Sequence, residues 1–257
     1  MRQMAHFSMQ PLRLAELVGS LSLATDMGNG QPLETALRFT LVALDLASEV
    51  GASAEQREAV YWAGLLRFAG CTATSVEEAF ADGDDLNLRA ALLGADFGNH
   101  PDLGRRLSEA MAPEGMQRFL GAITDLAPRA LPAHCEVAIS LARRLDMAPL
   151  VIETLDNYHE RYDGTGPWDR KGDEIPLPAR LLTLAQAAVS NASGLEPADL
   201  RALIRSRGGT HLDPELVEVF LARPRRLPST DASIWDEAMQ AEPGAHRLRA
   251  DHGLGGE

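Results

Sequence analysis

Hydrophobic positions recur at helical spacing along nearly the whole chain, and nowhere does the strict alternation of a half-buried strand persist for long. From Leu33 to Val50, LETALRFTLVALDLASEV places Thr35, Phe39, Val42 and Leu46 on one stripe, with Leu37, Leu41 and Leu44 beside it. That pattern predicts a helix buried around much of its circumference. The preceding MGNGQP reads as a turn into its start, and a second helix is predicted from Ala54 to Phe68, ending near Gly70. Between Thr72 and Asp96 the chain is acidic and irregular (SVEEAFADGDD), which suits a loop or short helices. Further helices are predicted over Asp102–Met111, Gly115–Leu126, His134–Leu145, Pro149–Tyr162, Leu177–Asn191 and Pro197–Arg207. A last one is opened by Asp213 as N-cap, with Pro214 in its first turn. From Arg223 the chain turns polar and is expected to fray, apart from a short segment around Ile234 to Met239. The expected fold class is all-α, a helical bundle.

A chain of 257 residues suffices for one large or two modest domains with a substantial core. Cys71 and Cys135 are too few for a disulfide framework, and the N-terminus lacks a basic flank followed by an apolar run. Charges recur every few residues, so no membrane span is expected, and the expected location is the cytoplasm. A formal charge of -13 excludes a surface that neutralises phosphates along a duplex, so direct nucleic-acid binding is not expected.

Two histidines stand out against this background. His134 heads a stripe with Ala138, Leu141 and Leu145, and His159 follows Val151 and Leu155 at four-residue steps. On an antiparallel helix pair they could meet, and imidazoles gathered in a bundle interior are common metal ligands. Two hydrogen-bonded core histidines would leave the same pattern, because a pair of His alone makes no metal site.

The richest stretch is YHERYDGTGPWDRKGDEIPLPAR, Tyr158 to Arg180. Its HERYDGTG, the following KGDEIPLPARLLTLAQAAV and the later GGTHLDPELVEVFLA resemble the C-terminal half of an HD-GYP domain, a branch of the HD phosphohydrolase superfamily. YWAGLLRFAGC resembles the segment carrying the His-Asp pair that names the superfamily, and LAELVGSLSLATDMGNGQPLE resembles a leader on HD-GYP-like domains attached to LuxR-type regulators. The resemblance implies an all-helical HD-type bundle. It divides the chain into a leader (1–30), a domain (31–222) with an acidic insertion at about 72–133, and a partly disordered tail (223–257).

The family's activity is hydrolysis of cyclic di-GMP by a hydroxide activated on iron, manganese or related ions held by His and Asp. Carried over residue by residue, the first His falls on Thr35, its glutamate neighbour on Gln31, and the His-Asp pair on Arg67 and Phe68. The catalytic Lys falls on Cys71, the His-His pair on Tyr158 and His159, and the last Asp on Gln186. Only His134 and His159 keep a ligand residue type; NHPDLGRRL around His100 also resembles the segment of the middle His, and His134 is preferred for its interval to His159. A phenylalanine supplies no donor, and a guanidinium repels a divalent ion. Arg67 is expected either to swing to solvent or to sit at the old metal position, paired with Glu160 or Asp163.

What the resemblance implies is a catalytically degenerate regulatory domain without a cofactor, acting in signalling or transcription control through a small ligand such as a cyclic dinucleotide or through a protein partner, with a homodimer compatible. Ligand candidates are Arg161, Asp163, Trp168, Lys171 and Arg180; Arg161, Arg170, Lys171 and Arg180 gather positive charge in an acidic chain or else form local ion pairs of a solvated loop. The enzyme alternative is a residual phosphodiesterase with one Fe, Mn or similar ion on His134 and His159.

Overall fold

The computed structural model describes residues 13–70, 85–192, 194–225 and 227–244, with the side chains at 85, 120 and 122–134 left aside. These residues form eleven α-helices and a 3-10 turn, with no strand among them. The helices are α1 (Leu14–Gly28), α2 (Thr35–Glu49), α3 (Ala54–Leu66), α4 (Asp85–Leu92), α5 (His100–Ala110) and α6 (Pro113–Arg144). They continue with α7 (Pro149–Asn157), α8 (Leu177–Ala192), α9 (Pro197–Arg207), α10 (Pro214–Leu221) and α11 (Trp235–Gln240). Among the described residues no helix is long and apolar enough to cross a membrane.

Helix α2 is the axis of the core. Its stripe residues Thr35, Phe39, Val42 and Leu46 are all buried, as is Leu37, and it packs against α3 on one side and α8 on the other. Helix α7 covers α3, and α1 lies across α2 and α3, its Leu14, Ala15 and Val18 joining the same core. A smaller cluster of Leu88, Leu107, Met111 and Phe119 joins α4, α5 and the start of α6.

Local chemistry sets the helix starts. At α3, the Ser53 hydroxyl accepts from the Gln56 N–H at 3.1 Å while the Gln56 side chain accepts from the Ser53 N–H at 2.9 Å, a reciprocal capping box. At α10, an Asp213 carboxylate oxygen accepts from Glu215 N at 2.9 Å and Leu216 N at 3.3 Å. The other oxygen takes Arg180 Nη1 at 2.6 Å. Asp213→Ala should therefore lower the free energy of unfolding by about 1–2 kcal/mol, measured by urea denaturation.

Three expectations change. The two helices expected over Gly115–Leu126 and His134–Leu145 are one, α6, running through Pro128 and Pro132. Each proline lacks an N–H donor and locally favours a break, but the helix continues on both sides. Helix α7 stops at Asn157, five residues short of the expected end. Beyond it, Tyr162 N donates to His211 O at 3.3 Å and Asp163 N to Thr210 O at 2.9 Å, which draws the chain off the helix axis onto the turn between α9 and α10. His159 therefore lies past the helix end and does not continue the Val151–Leu155 stripe.

The third change concerns the end of the chain, where the described part beyond Arg223 is held along α2. Arg225 pairs with Asp45 and Glu49, and Arg38 donates to Ser229 O and Ala232 O at 3.0 Å each. Glu34, at a left-handed φ of 67°, accepts from Ser233 Oγ and, at 2.9 Å, from Ile234 N. Fraying does not describe these residues.

Candidate functional site

Arg67 follows α3 as its C-cap and is fully buried. Its guanidinium carbon lies 4.5 Å from the Phe39 ring centre, 4.6 Å from Phe68 and 5.9 Å from Tyr158. Nη1 donates to Leu182 O at 3.3 Å and Nη2 to Gln186 Oε1 at 2.5 Å. Gln186 passes the link on, since its Nε2 donates to Leu93 O at 2.6 Å. The Tyr158 hydroxyl donates to Arg67 O at 3.3 Å. A planar cation between aromatic faces, with its fork aimed at amide and carbonyl oxygens, is satisfied in a way a point-charge ammonium would not be.

Four positions singled out in the sequence, Arg67, Phe68, Tyr158 and Gln186, thus share one chamber. Thr35 stands at the start of α2, with its hydroxyl donating to Pro32 O at 2.6 Å. The expected carboxylate partners of Arg67 are engaged elsewhere. Glu160 accepts from Trp168 N at 2.8 Å, and Asp163 accepts from Thr165 N at 3.0 Å and pairs with Arg161 at 3.3 Å. Both were expected beside the old metal position of the matched motif, but beyond Asn157 each is tied to its own loop, Glu160 to Trp168 and Asp163 to Thr165 and Arg161.

Asp26 of α1 is the acidic group that the sequence reading missed. It is fully buried and accepts from Ala36 N at 3.2 Å. Burial pushes its carboxyl up to about 7, against the pull of the Ala36 and Thr35 N–H groups and the positive charges of Arg67 and Arg38. A signal for it was present, since Val18, Ser22 and Asp26 are spaced as one buried stripe of α1.

The ligand candidates of the 158–180 loop do not form a common basic cluster. Arg161 bonds Asp96, Asp163 and, through Nε at 2.8 Å, the Thr165 hydroxyl. Arg180 pairs with Asp213 at 2.6 Å and Asp173 at 2.9 Å. Lys171 is exposed, and Trp168 is 37% exposed, with its backbone N–H held by the buried Glu160. Burial raises the Glu160 carboxyl above its ordinary value. Asp96, Arg207 and His211, none of them picked from the sequence, stand close to Arg161. The His211 imidazole is pushed down to about 4 by burial, with Asp96 pulling it up and Arg207 and Arg161 pushing it down.

His159 stacks on Tyr158 with ring centres 3.9 Å apart. The backbone of His134 lies in α6, but its side chain, like Cys71 as a whole, lies outside the described residues. Among the described residues, no three His, Cys, Asp or Glu side chains gather as a metal site.

The class of molecule this fold resembles comes from comparison with known proteins. No family model matches the chain. The relatives found are cyclic-dinucleotide phosphodiesterases. One is the 3'3'-cGAMP-specific phosphodiesterase 3 of Vibrio cholerae, 28% identical over 262 residues that cover 93% of this chain and 55% of the relative. Another, a cyclic di-GMP phosphodiesterase of the same organism, is 38% identical over 140 residues, 49% of this chain and 28% of the relative. The crystal structure of a cyclic GMP-AMP specific phosphodiesterase of V. cholerae (V-cGAP3) superposes with a TM-score of 0.68 at 24% identity, covering 94% of this chain and 57% of that one. It shares the all-helical fold. The chain thus spans about half or less of the length of these relatives.

Proposed function

We propose that this chain is a catalytically inactive HD-GYP-like regulatory module that acts in signalling or transcription control by binding a protein partner or a small ligand. The observation that carries this reading is the Arg67 guanidinium, buried among Phe68, Tyr158 and Gln186, where the family resemblance assigns metal ligands. A fixed positive charge that cannot be deprotonated, held against the rings of Phe39 and Phe68, which offer no donor atom for a cation, does not fit a di-iron or di-manganese centre. The basic side chains Arg161 and Arg180 are already paired with carboxylates, which favours a protein partner over an anionic ligand held by that loop as it stands.

The test is metal content. Protein purified without chelator from cells grown with added iron and manganese should carry close to no metal per chain by elemental mass spectrometry. A second reading, a residual cyclic-dinucleotide phosphodiesterase, is favoured by the activities named for the relatives. A metal content of one or more per chain, with hydrolysis of cyclic di-GMP or 3'3'-cGAMP, would establish it and overturn the first.

A further inference from the structure

The chain between α4 and α5 lies over the Arg67 chamber. Leu93 packs on the cluster of Ala36, Phe39 and Phe68, and Gly94, Ala95 and Asp96 that follow are buried. Buried backbone outside a helix needs partners, and here they come from the body of the domain. Leu93 O accepts from Gln186 Nε2 at 2.6 Å, and Gly94 O accepts from Asn191 Nδ2 at 3.1 Å and from Arg207 Nη2 at 3.0 Å. The Asp96 carboxylate accepts from Arg161 Nη1.

The division of roles is one-sided. In these contacts the strap supplies only acceptors, two carbonyls and a carboxylate. The body supplies only donors, two guanidinium and two carboxamide groups from α8, α9 and the loop after α7. Arg207 is 3% exposed and its Nη2 also pairs with Asp102 at 3.3 Å, yet its Nη1 has no hydrogen-bond partner. Donor capacity therefore exceeds what the strap fills. Immediately beyond Asp96 the chain is in solvent, with Phe97 59% exposed and Gly98 exposed after it. The Arg161–Asp96 pair thus stands as the last tie before the free surface.

We propose that Leu93–Asp96 is a displaceable strap occupying an anion site of the domain body, and that its release presents Arg161, Arg207, Gln186 and Asn191 to a phosphate-bearing ligand. Asp96 is the internal stand-in for that ligand's charge. Guanidinium forks with carboxamide N–H groups suit phosphate oxygens, which accept several hydrogen bonds at once. The strap rests on the reading of the chain as a ligand-binding module and does not depend on the loss of catalysis.

Two substitutions break the latch from opposite sides. Asp96→Ala removes the acceptor. Gly98→Ala acts from the solvent side, since a Cβ there would stand 2.5 Å from Arg161 Cζ and 2.8 Å from its Nη1, forcing the guanidinium off Asp96. It also keeps the test alive should the buried substitution fail to fold. Hydrogen exchange by mass spectrometry on the full chain should show residues 93–99 exchanging at least about tenfold faster in both variants, with α8 protection unchanged. Calorimetric titration with inorganic pyrophosphate should show binding at least about tenfold tighter in both variants than in the parent, lost again when Arg207→Gln is added.

Unchanged exchange in both variants would overturn the latch. Faster exchange without pyrophosphate binding would overturn the anion site beneath it, and parent binding as tight as that of the variants would show that the strap occupies no site. Metal found in the chain would sink the inactive reading while leaving the strap to be judged by exchange and titration.

Discussion

Arg67→Ala is expected to lower the free energy of unfolding by about 3–5 kcal/mol, the range for breaking a buried charged network. The loss has three parts. The Gln186 carboxamide oxygen and Leu182 carbonyl lose guanidinium donors, the rings of Phe39 and Phe68 lose a cation at van der Waals distance, and a cavity opens between them. Arg67→Met separates these parts, because it refills most of the volume without the charge or the donors. Its loss should be about 1–2 kcal/mol, that of unpaired buried acceptors. Urea denaturation at pH 7 decides between the readings. If Arg67→Ala costs no more than an exposed substitution, the guanidinium is not the centrepiece of the chamber.

Stability should also depend on pH through Asp26, and Asp26→Asn should remove that dependence. The carboxyl has its folded pKa raised from 3.8 to about 7, so between those values the folded chain binds more protons than the unfolded one. Its stabilising contribution is full below about pH 4 and is lost as the pH rises through 7. From pH 5 to pH 8 the parent should lose about 2–3 kcal/mol relative to Asp26→Asn, whose side-chain oxygen can still accept from Ala36 N. His211 works in the opposite direction, because its folded pKa is lowered from 6.5 to about 4 and its contribution is lost as the pH falls. Both proteins carry it, so their difference isolates Asp26. Parallel stability curves for the two proteins across this range would refute the account. Arg67 pulls the Asp26 carboxyl down, so Arg67→Ala should move its titration to still higher pH.

The parts of the fold that were legible in advance are those in which neighbours in sequence decide the outcome. The Thr35, Phe39, Val42, Leu46 stripe identified a core helix because a helix brings those positions to one face whatever packs on it. Asp213 identified a cap because its partners lie two and three residues away. Prediction failed where a distant contact overrode local preference. Asn157 ends α7 because the chain pairs with the turn at 210–211, and the segment after Arg223 is ordered by acids on α2 far back in sequence.

The same boundary runs through the candidate site. From residue types and spacing, the sequence determined an all-helical class and the acidity that argues against a nucleic-acid surface, while its resemblance to HD-GYP domains implies the departures of Arg67, Phe68 and Gln186 from metal-binding side chains. Only the tertiary structure decided that those departures meet one another, that Arg67 turns to Gln186 and aromatic faces instead of to Glu160 or Asp163, and that Asp26 and the strap at Leu93–Asp96 close around them. The reason is physical. Residue identity sets which bonds a side chain can make, but burial and long-range packing set which partners lie within reach and what it costs to leave them unpaired.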